Sequence, residues 1–258
     1  MADDADSSGI IGGGTTCDAI LGGRVRLRQP ARGHRAGHDA VLLAALAPAA
    51  ERGVDLGCGV GAAGLAFLAR QPEARATLVE IDPDLAALAT GNAQANGLSD
   101  RCRVVAGDVL RMARPSGPPE PAAGAADLVL MNPPFNPAHA HQLSPHGGRA
   151  LAHGAPAELL REWVTAATRC LKPDGVLCLI HRPEEVAALL AALDGRFGAL
   201  ELLPVHPRAD AAAVRLLARA TKGRRTAPKI LPGLVLAEAD GRPTAAAEAV
   251  LRDARGLG

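Results

Sequence analysis

Short apolar runs broken by glycine, proline and charge alternate along the chain with longer segments of helical periodicity. The short runs Val54–Leu56, Thr77–Val79, Arg103–Ala106 and Leu128–Met131, the last opened by Asp127, read as buried strands. Val176–Ile180, Leu200–Val205 and Ala213–Ala220 predict three more. Between them, Ala62–Arg70, Pro83 to about Asn96, the amphipathic Pro156–Cys170 and Glu184–Leu193 predict helices. Pro83 suits a first helical position and Gly97 a residue just past a helix end. Strands alternating with helices predict an α/β fold, a doubly wound, mostly parallel sheet with helices on both faces.

The flanking segments add smaller elements. Ala19–Leu21, the pair Gly22-Gly23 and Val25–Arg28 pattern as a hairpin whose second arm alternates apolar and basic residues. Asp39 predicts the N-cap of an apolar helix Ala40–Ala47 that Pro48 ends. Arg114–Gly124 is a Pro/Gly-rich insert, Pro137–Gly154 a long polar loop, and Thr244 opens a short terminal helix. The expected organisation is a disordered tail over residues 1–16, a hairpin and helix over 17–48 packed on the core, and one domain over 49–258.

Composition narrows the partners. No apolar run reaches the roughly 18 residues of a membrane span, and the first eight residues are acidic and polar, so a cytoplasmic protein with no membrane partner is expected. Five cysteines without a C-x-x-C pair suggest neither zinc nor disulfides, and they read as packing residues. His139, His141, His146 and His153 fit no standard ligand spacing, so no metal is expected. Net charge is +1, so nucleic-acid affinity would need local clusters. Two exist: Arg24, Arg26, Arg28, Arg32 and Arg35 in the N-terminal arm, and Lys222, Arg224 and Arg225 near the end. Each is either a phosphate contact or a solvated face. A monomer is expected.

Two stretches carry candidate chemistry. Asp55-Leu56-Gly57-Cys58-Gly59-Val60-Gly61 joins a strand to a helix, where glycine lets the backbone approach a ligand closely and the helix start favours negative charge. Glu80 ends the next strand, placed to take ribose hydroxyls, and Gly107-Asp108 ends the one after, placed to accept from an adenine amine. The second stretch is Asn132-Pro133-Pro134-Phe135, an amide and an aromatic ring on an elbow that two prolines stiffen at the carboxyl end of a buried strand. Ligands of open α/β sheets bind at that edge. Gly59 to Gly64 also matches G-x-G-x-x-G, which alone would allow a nicotinamide-dependent oxidoreductase but leaves Asn132–Phe135 unexplained. A non-catalytic RNA-binding module is a third reading, opposed by the intactness of both stretches.

In order and spacing, these motifs resemble the class I S-adenosylmethionine-dependent methyltransferases over about Val54 to Ala220. Asn-Pro-Pro-Phe resembles the branch that methylates planar exocyclic or amide nitrogens, in which the fourth position is often Tyr. Gly23-Arg-Val-Arg-Leu-Arg-Gln-Pro30 and Gly37-His-Asp-Ala-Val-Leu-Leu43 resemble bacterial tRNA adenine-N(6) methyltransferases acting beside the anticodon of a valine tRNA. The resemblance implies a Rossmann-like, seven-stranded sheet with an antiparallel last strand. It implies S-adenosyl-L-methionine bound by Asp55, Gly57, Cys58, Gly59, Gly61, Glu80, Ile81, Asp108, Val109 and Asn132. Catalysis would fall to Asn132, Pro133, Pro134 and Phe135, and tRNA would be the partner. Glutamine methyltransferases of release factors share the motif but resemble chains with a helical domain ahead of it; DNA adenine methyltransferases add a recognition domain that is not evident here.

Overall fold

The structure is a computed structural model that describes residues 14–32, 35–114, 116–118, 120–134 and 156–257. Phe135, the loop Pro137–Gly154 with its four histidines, His34 and most of the expected tail lie outside the described residues.

An antiparallel ribbon comes first, β1 (Thr15–Ile20) and β2 (Val25–Pro30), in register from Thr15–Pro30 to Ile20–Val25. The ribbon thus recruits Thr15 and Thr16, which the sequence reading gave to the tail; two β-branched residues continue the ladder. Helix α1 (His38–Leu46) follows. Its N-cap is Gly37 without a side-chain bond, two residues earlier than expected, because the Asp39 carboxylate pairs instead with Arg215 at 2.8 Å. Val41 to Leu46 are all buried, as in a helix enclosed on every side.

The remaining elements are β3 (Arg52–Leu56), α2 (Ala62–Arg70), β4 (Arg75–Glu80), α3 (Pro83–Ala95), β5 (Cys102–Ala106), α4 (Val109–Met112), β6 (Ala126–Met131) and α5 (Pro156–Cys170). Then come β7 (Leu171–His181), α6 (Val186–Leu193), β8 (Phe197–His206), β9 (Arg215–Lys222), the two-residue strands β10 (Lys229–Ile230) and β11 (Leu234–Val235), and α7 (Ala245–Leu251). Asp82 caps α3 by accepting from the Asp84 and Leu85 amides, and Thr244 caps α7 through the Ala247 amide. Strand β7 bulges over Lys172–Gly175, since its pairing with β6 jumps from Ala126–Leu171 to Leu128–Val176.

Among the described residues the main sheet runs β10-β8-β9-β7-β6-β3-β4-β5, with β11 also on β8. Strands β3 to β7 are parallel neighbours, and β9 lies antiparallel between β7 and β8. The seven long strands thus match the expected sheet, and the short β10 and β11 extend its edge. Both faces are covered, which is why the strands read as unbroken apolar runs. Leu128 and Leu130 of β6 pack with α1, α2 and the ribbon's Val25 and Leu27; Val129 and Met131 pack against α5 and α6.

Candidate active site

Sheet order reverses between β3 and β6, and the register places their ends side by side. Leu56 pairs with Val79 and with Met131, and Met131 with Leu179. Gly57 and Asn132 therefore leave the sheet together, next to Glu80, which pairs with Ala106 just before Gly107-Asp108. All four motif stretches meet at one carboxyl edge, at the switch point where open α/β sheets bind ligands.

The glycine loop is built by its neighbours. Gly57 and Cys58 both donate to the Val79 carbonyl at 2.9 Å, and Gly57, Gly59 and Gly61 hold φ of +68°, +57° and +88°. A Cβ at Gly57 would run into the Trp163 indole, whereas one at Gly59 would meet nothing within 4 Å. The loop is thus backed by Trp163 of α5 and open at Gly59. Gly61 opens α2 without a side chain to cap it, and Asp55 does that work from the strand: its Oδ2 accepts from the Gly64 amide at 2.8 Å. Asp55 is 3% exposed, and burial raises its carboxyl to about 7 against the help of that amide.

Glu80 braces the same loop. Its Oε2 accepts from the Gly59 amide at 2.7 Å, and its Oε1 from Ile81 and Asp82 at 2.9 and 3.0 Å. Burial raises its pKa, and these three amides oppose the rise. A carboxylate offers about four lone-pair sites, so three are filled by backbone and about one remains for a ligand hydroxyl. Asp108 spends Oδ1 on the Leu110 amide at 2.8 Å, capping α4, with Val109 buried behind it.

At the elbow, Pro133 is buried and Asn132 and Pro134 half-buried. The Asn132 Oδ1 atom is fully buried and has no hydrogen-bond partner among the described residues. An acceptor left open in this way costs on the order of 1–3 kcal/mol, so it marks a place where an N–H or O–H donor is missing. Gly59 and Asn132 fit an adenosyl sulfonium cofactor: a loop that lets backbone come close and an amide beside it. The cysteines only partly match expectation. Cys58, Cys170 and Cys178 are buried and Cys102 half-buried, with burial pushing Cys102 and Cys170 up to about 11 and Cys178 to about 12, but Cys17 is exposed.

The two basic clusters separate. Asp39 meets Arg215 at the start of antiparallel β9, whose next residue Leu216 pairs with His181 at the end of β7, so α1 begins at the carboxyl edge. Arg32 and Arg35, just before α1, arrive on the side of Asn132; Arg35 pairs with Asp18 at 2.6 Å. Lys222 to Arg225 do not. Thr221 pairs with Val176 at the opposite edge, the Lys222 ammonium donates to the Thr168 and Leu171 carbonyls, and Arg224 pairs with Asp174. This cluster therefore lies at the edge of the sheet away from Asn132, because β9 runs against its neighbours.

Missed by the sequence reading were Trp163, which backs Gly57, and Asn92 of α3. Asn92 is 2% exposed and donates to the Val60 carbonyl in the glycine loop at 2.9 Å. The available signal was an asparagine pair, Asn92 and Asn96, one turn apart on a helix. Among the described residues no group of three or more His, Cys, Asp or Glu could hold a metal, and no helix is long and apolar enough to cross a membrane.

This sheet order, the antiparallel β9 and the glycine loop facing Asn132 define a class I S-adenosylmethionine-dependent methyltransferase. The chain belongs to the methyltransferase small domain family, which matches residues 37–206. It is 34% identical over 154 residues to the tRNA1(Val) (adenine(37)-N6)-methyltransferase of Porphyromonas gingivalis, an alignment covering 57% of this chain and 58% of that protein. It is 29% identical over 163 residues to the release factor glutamine methyltransferase of Chlorobaculum tepidum, covering 61% of this chain and 54% of that one. A solved protein of Agrobacterium tumefaciens, described as a predicted O-methyltransferase, superposes with a TM-score of 0.71 at 31% identity, covering 85% of this chain and 98% of its own. The chain therefore spans little more than half the length of either curated relative.

Proposed function

We propose that this methyltransferase acts on an exocyclic amino nitrogen, adenine N6 of a tRNA, beside the anticodon of a valine tRNA. The observation that carries the reading is the buried Asn132 Oδ1, which has no hydrogen-bond partner among the described residues and leaves the sheet beside the glycine loop. The cofactor S-adenosylmethionine supplies an electrophilic methyl on a sulfonium. Gly57 to Gly61, Cys58 among them, would hold its methionine part, with Asp55 bracing the start of α2 behind that loop. Glu80 would hold its ribose, and Ile81, Asp108 and Val109 would hold its adenine.

An aromatic amine is a weak nucleophile because its lone pair is delocalised into the ring. Asn132 Oδ1 and the Pro133 carbonyl would accept its two hydrogens, draw the nitrogen toward tetrahedral geometry and aim its lone pair at the methyl. The C–S bond would break as the N–C bond forms, a neutral thioether would leave, and the proton shed by the methylated nitrogen would pass to solvent. Pro134 stiffens the elbow, and Phe135 supplies the stacking face for an extruded base. The work is positioning and preorganised hydrogen bonding. A hydroxyl substrate, suggested by the Agrobacterium relative, offers one hydrogen and needs a base to remove it. Two acceptors at the elbow match the two hydrogens of an amine, and among the described residues Asp55 and Glu80 already accept from backbone amides. The 34% relative supports tRNA, and Arg32 and Arg35 of the arm, just before α1, are the residues proposed to meet its phosphates.

The test is transfer of labelled methyl from S-adenosylmethionine to total bacterial tRNA, with nucleoside mass spectrometry. N6-methyladenosine in valine tRNA is the expected product. Label found only in release-factor glutamine, or only as a methyl ether on a small hydroxyl substrate, overturns the reading.

A further inference from the structure

Strand β2 has an open outer edge, and α3 closes it with side chains. Asn92 Oδ1 accepts from the Arg28 amide at 2.7 Å while its Nδ2 donates to the Arg28 carbonyl at 2.9 Å. One helical turn on, Asn96 does the same for Arg26, accepting at 2.8 Å and donating at 2.7 Å. A carboxamide has the same donor and acceptor as a peptide group, so two of them at i and i+4 stand in for a third strand. They hold the backbone of Arg26 and Arg28, whose exposed side chains alternate with the buried Val25, Leu27 and Gln29.

Asn92 does one thing more than Asn96 does for the ribbon. Its second amide hydrogen goes to the Val60 carbonyl, between Gly59 and Gly61. Gly61 also sits against Ala89, one turn before Asn92 on α3. One rigid planar group, buried to 2% exposure, therefore ties the arginine ribbon to the cofactor loop. Asn96 spends its remaining hydrogen on the Asn92 carbonyl within the helix and does not touch the loop.

We infer that Asn92 is a positioning residue that couples the two ligands: RNA phosphates held on Arg26 and Arg28 order the glycine loop, and S-adenosylmethionine on the loop orders the ribbon. The inference rests on the reading of the ribbon as an RNA contact. Ligands that order a shared element favour one another, and the factor is the same in both directions.

The experiment measures the dissociation constant of S-adenosylmethionine by calorimetry with and without saturating tRNA, and that of tRNA with and without S-adenosylmethionine, for the wild type, Asn92→Ala and Asn96→Ala. In the wild type each ligand should tighten the other by the same factor, about 5-fold, the low end of typical couplings. Asn92→Ala should bring that factor to about one and weaken S-adenosylmethionine alone by about 5- to 10-fold, the scale of one lost hydrogen bond. Asn96→Ala should weaken tRNA while holding S-adenosylmethionine affinity within about 2-fold. A merely structural Asn92 would lower the melting temperature of both variants and leave the coupling factor intact, which overturns the inference. Because Asn92→Ala risks misfolding, amide exchange in the wild type supplies a second measurement: S-adenosylmethionine alone should slow exchange at Arg28, and an unchanged rate there counts against the coupling. A wild type that binds both ligands with a factor of one defeats this inference alone. A wild type that binds S-adenosylmethionine but no tRNA defeats the RNA reading beneath it as well.

Discussion

Asp55→Asn isolates what burial does to the carboxylate under the glycine loop. Burial lifts this group from 3.8 to about 7, in spite of the Gly64 amide and with a smaller push from Glu80. The unfolded chain ionises near 4, so between about pH 4 and 7 the folded protein binds one proton more than the unfolded one. The contribution to stability is fully present below about pH 4 and is lost as the pH rises through 7. Two pKa units of that window lie between pH 5 and 7, which corresponds to about 3 kcal/mol lost by pH 8. For a chain of this length that is roughly 6–12 °C in melting temperature. Asparagine keeps an oxygen for the Gly64 amide and does not titrate. Scanning calorimetry at pH 5, 6, 7 and 8 should therefore show the wild type losing that much more than Asp55→Asn. Parallel curves would mean that Asp55 ionises in its ordinary range inside the fold, and the burial argument would be refuted.

Two further predictions concern the loop and the arm. Gly57→Ala sets a methyl against Trp163 at positive φ and should lower both the melting temperature and cofactor affinity, whereas Gly59→Ala enters open space and should cost only about 1–2 kcal/mol of backbone strain while weakening the cofactor. Calorimetric scans and titrations of the two proteins check this, and equal stability losses would show that Trp163 does not back the loop. Reversing Arg26 and Arg32 to Glu should raise the Michaelis constant for tRNA and flatten its dependence on salt; Arg224→Gln with Arg225→Gln, at the opposite edge, should do neither. A salt slope that follows the second pair instead would reverse the assignment of the RNA-facing side.

Most of the sheet was legible because local signals agreed with the fold. Leu128–Met131 is apolar on both faces, as a buried strand is, and Ala62–Arg70 and Pro156–Cys170 form helices over the residues their periodicity marked. The convergence of Gly57, Glu80, Asp108 and Asn132 was legible too, because parallel strands all end at one edge. What escaped depended on partners distant in sequence. Asp39 looks like a helix cap until Arg215, 176 positions on, claims its carboxylate. The place of Lys222 to Arg225 was not legible from residue types: the Lys222 ammonium is taken by the Thr168 and Leu171 carbonyls, 54 and 51 positions earlier. Asn92 looks like any polar helix residue, since its function lies in a backbone 64 positions earlier and a loop 32 positions earlier.

Asn132→Ala tests the central claim most directly, in a single-turnover assay of methyl transfer from S-adenosylmethionine to tRNA with cofactor binding followed on the same protein. Asn132 Oδ1 is buried and open, so its removal disturbs no bond of the described fold. The variant should fold and bind S-adenosylmethionine within about 2-fold of the wild type. Methyl transfer should fall about 100-fold or more, the loss expected of one preorganised hydrogen-bonding group in a transition state. A folded, cofactor-binding Asn132→Ala protein that methylates tRNA at the wild-type single-turnover rate would contradict the account.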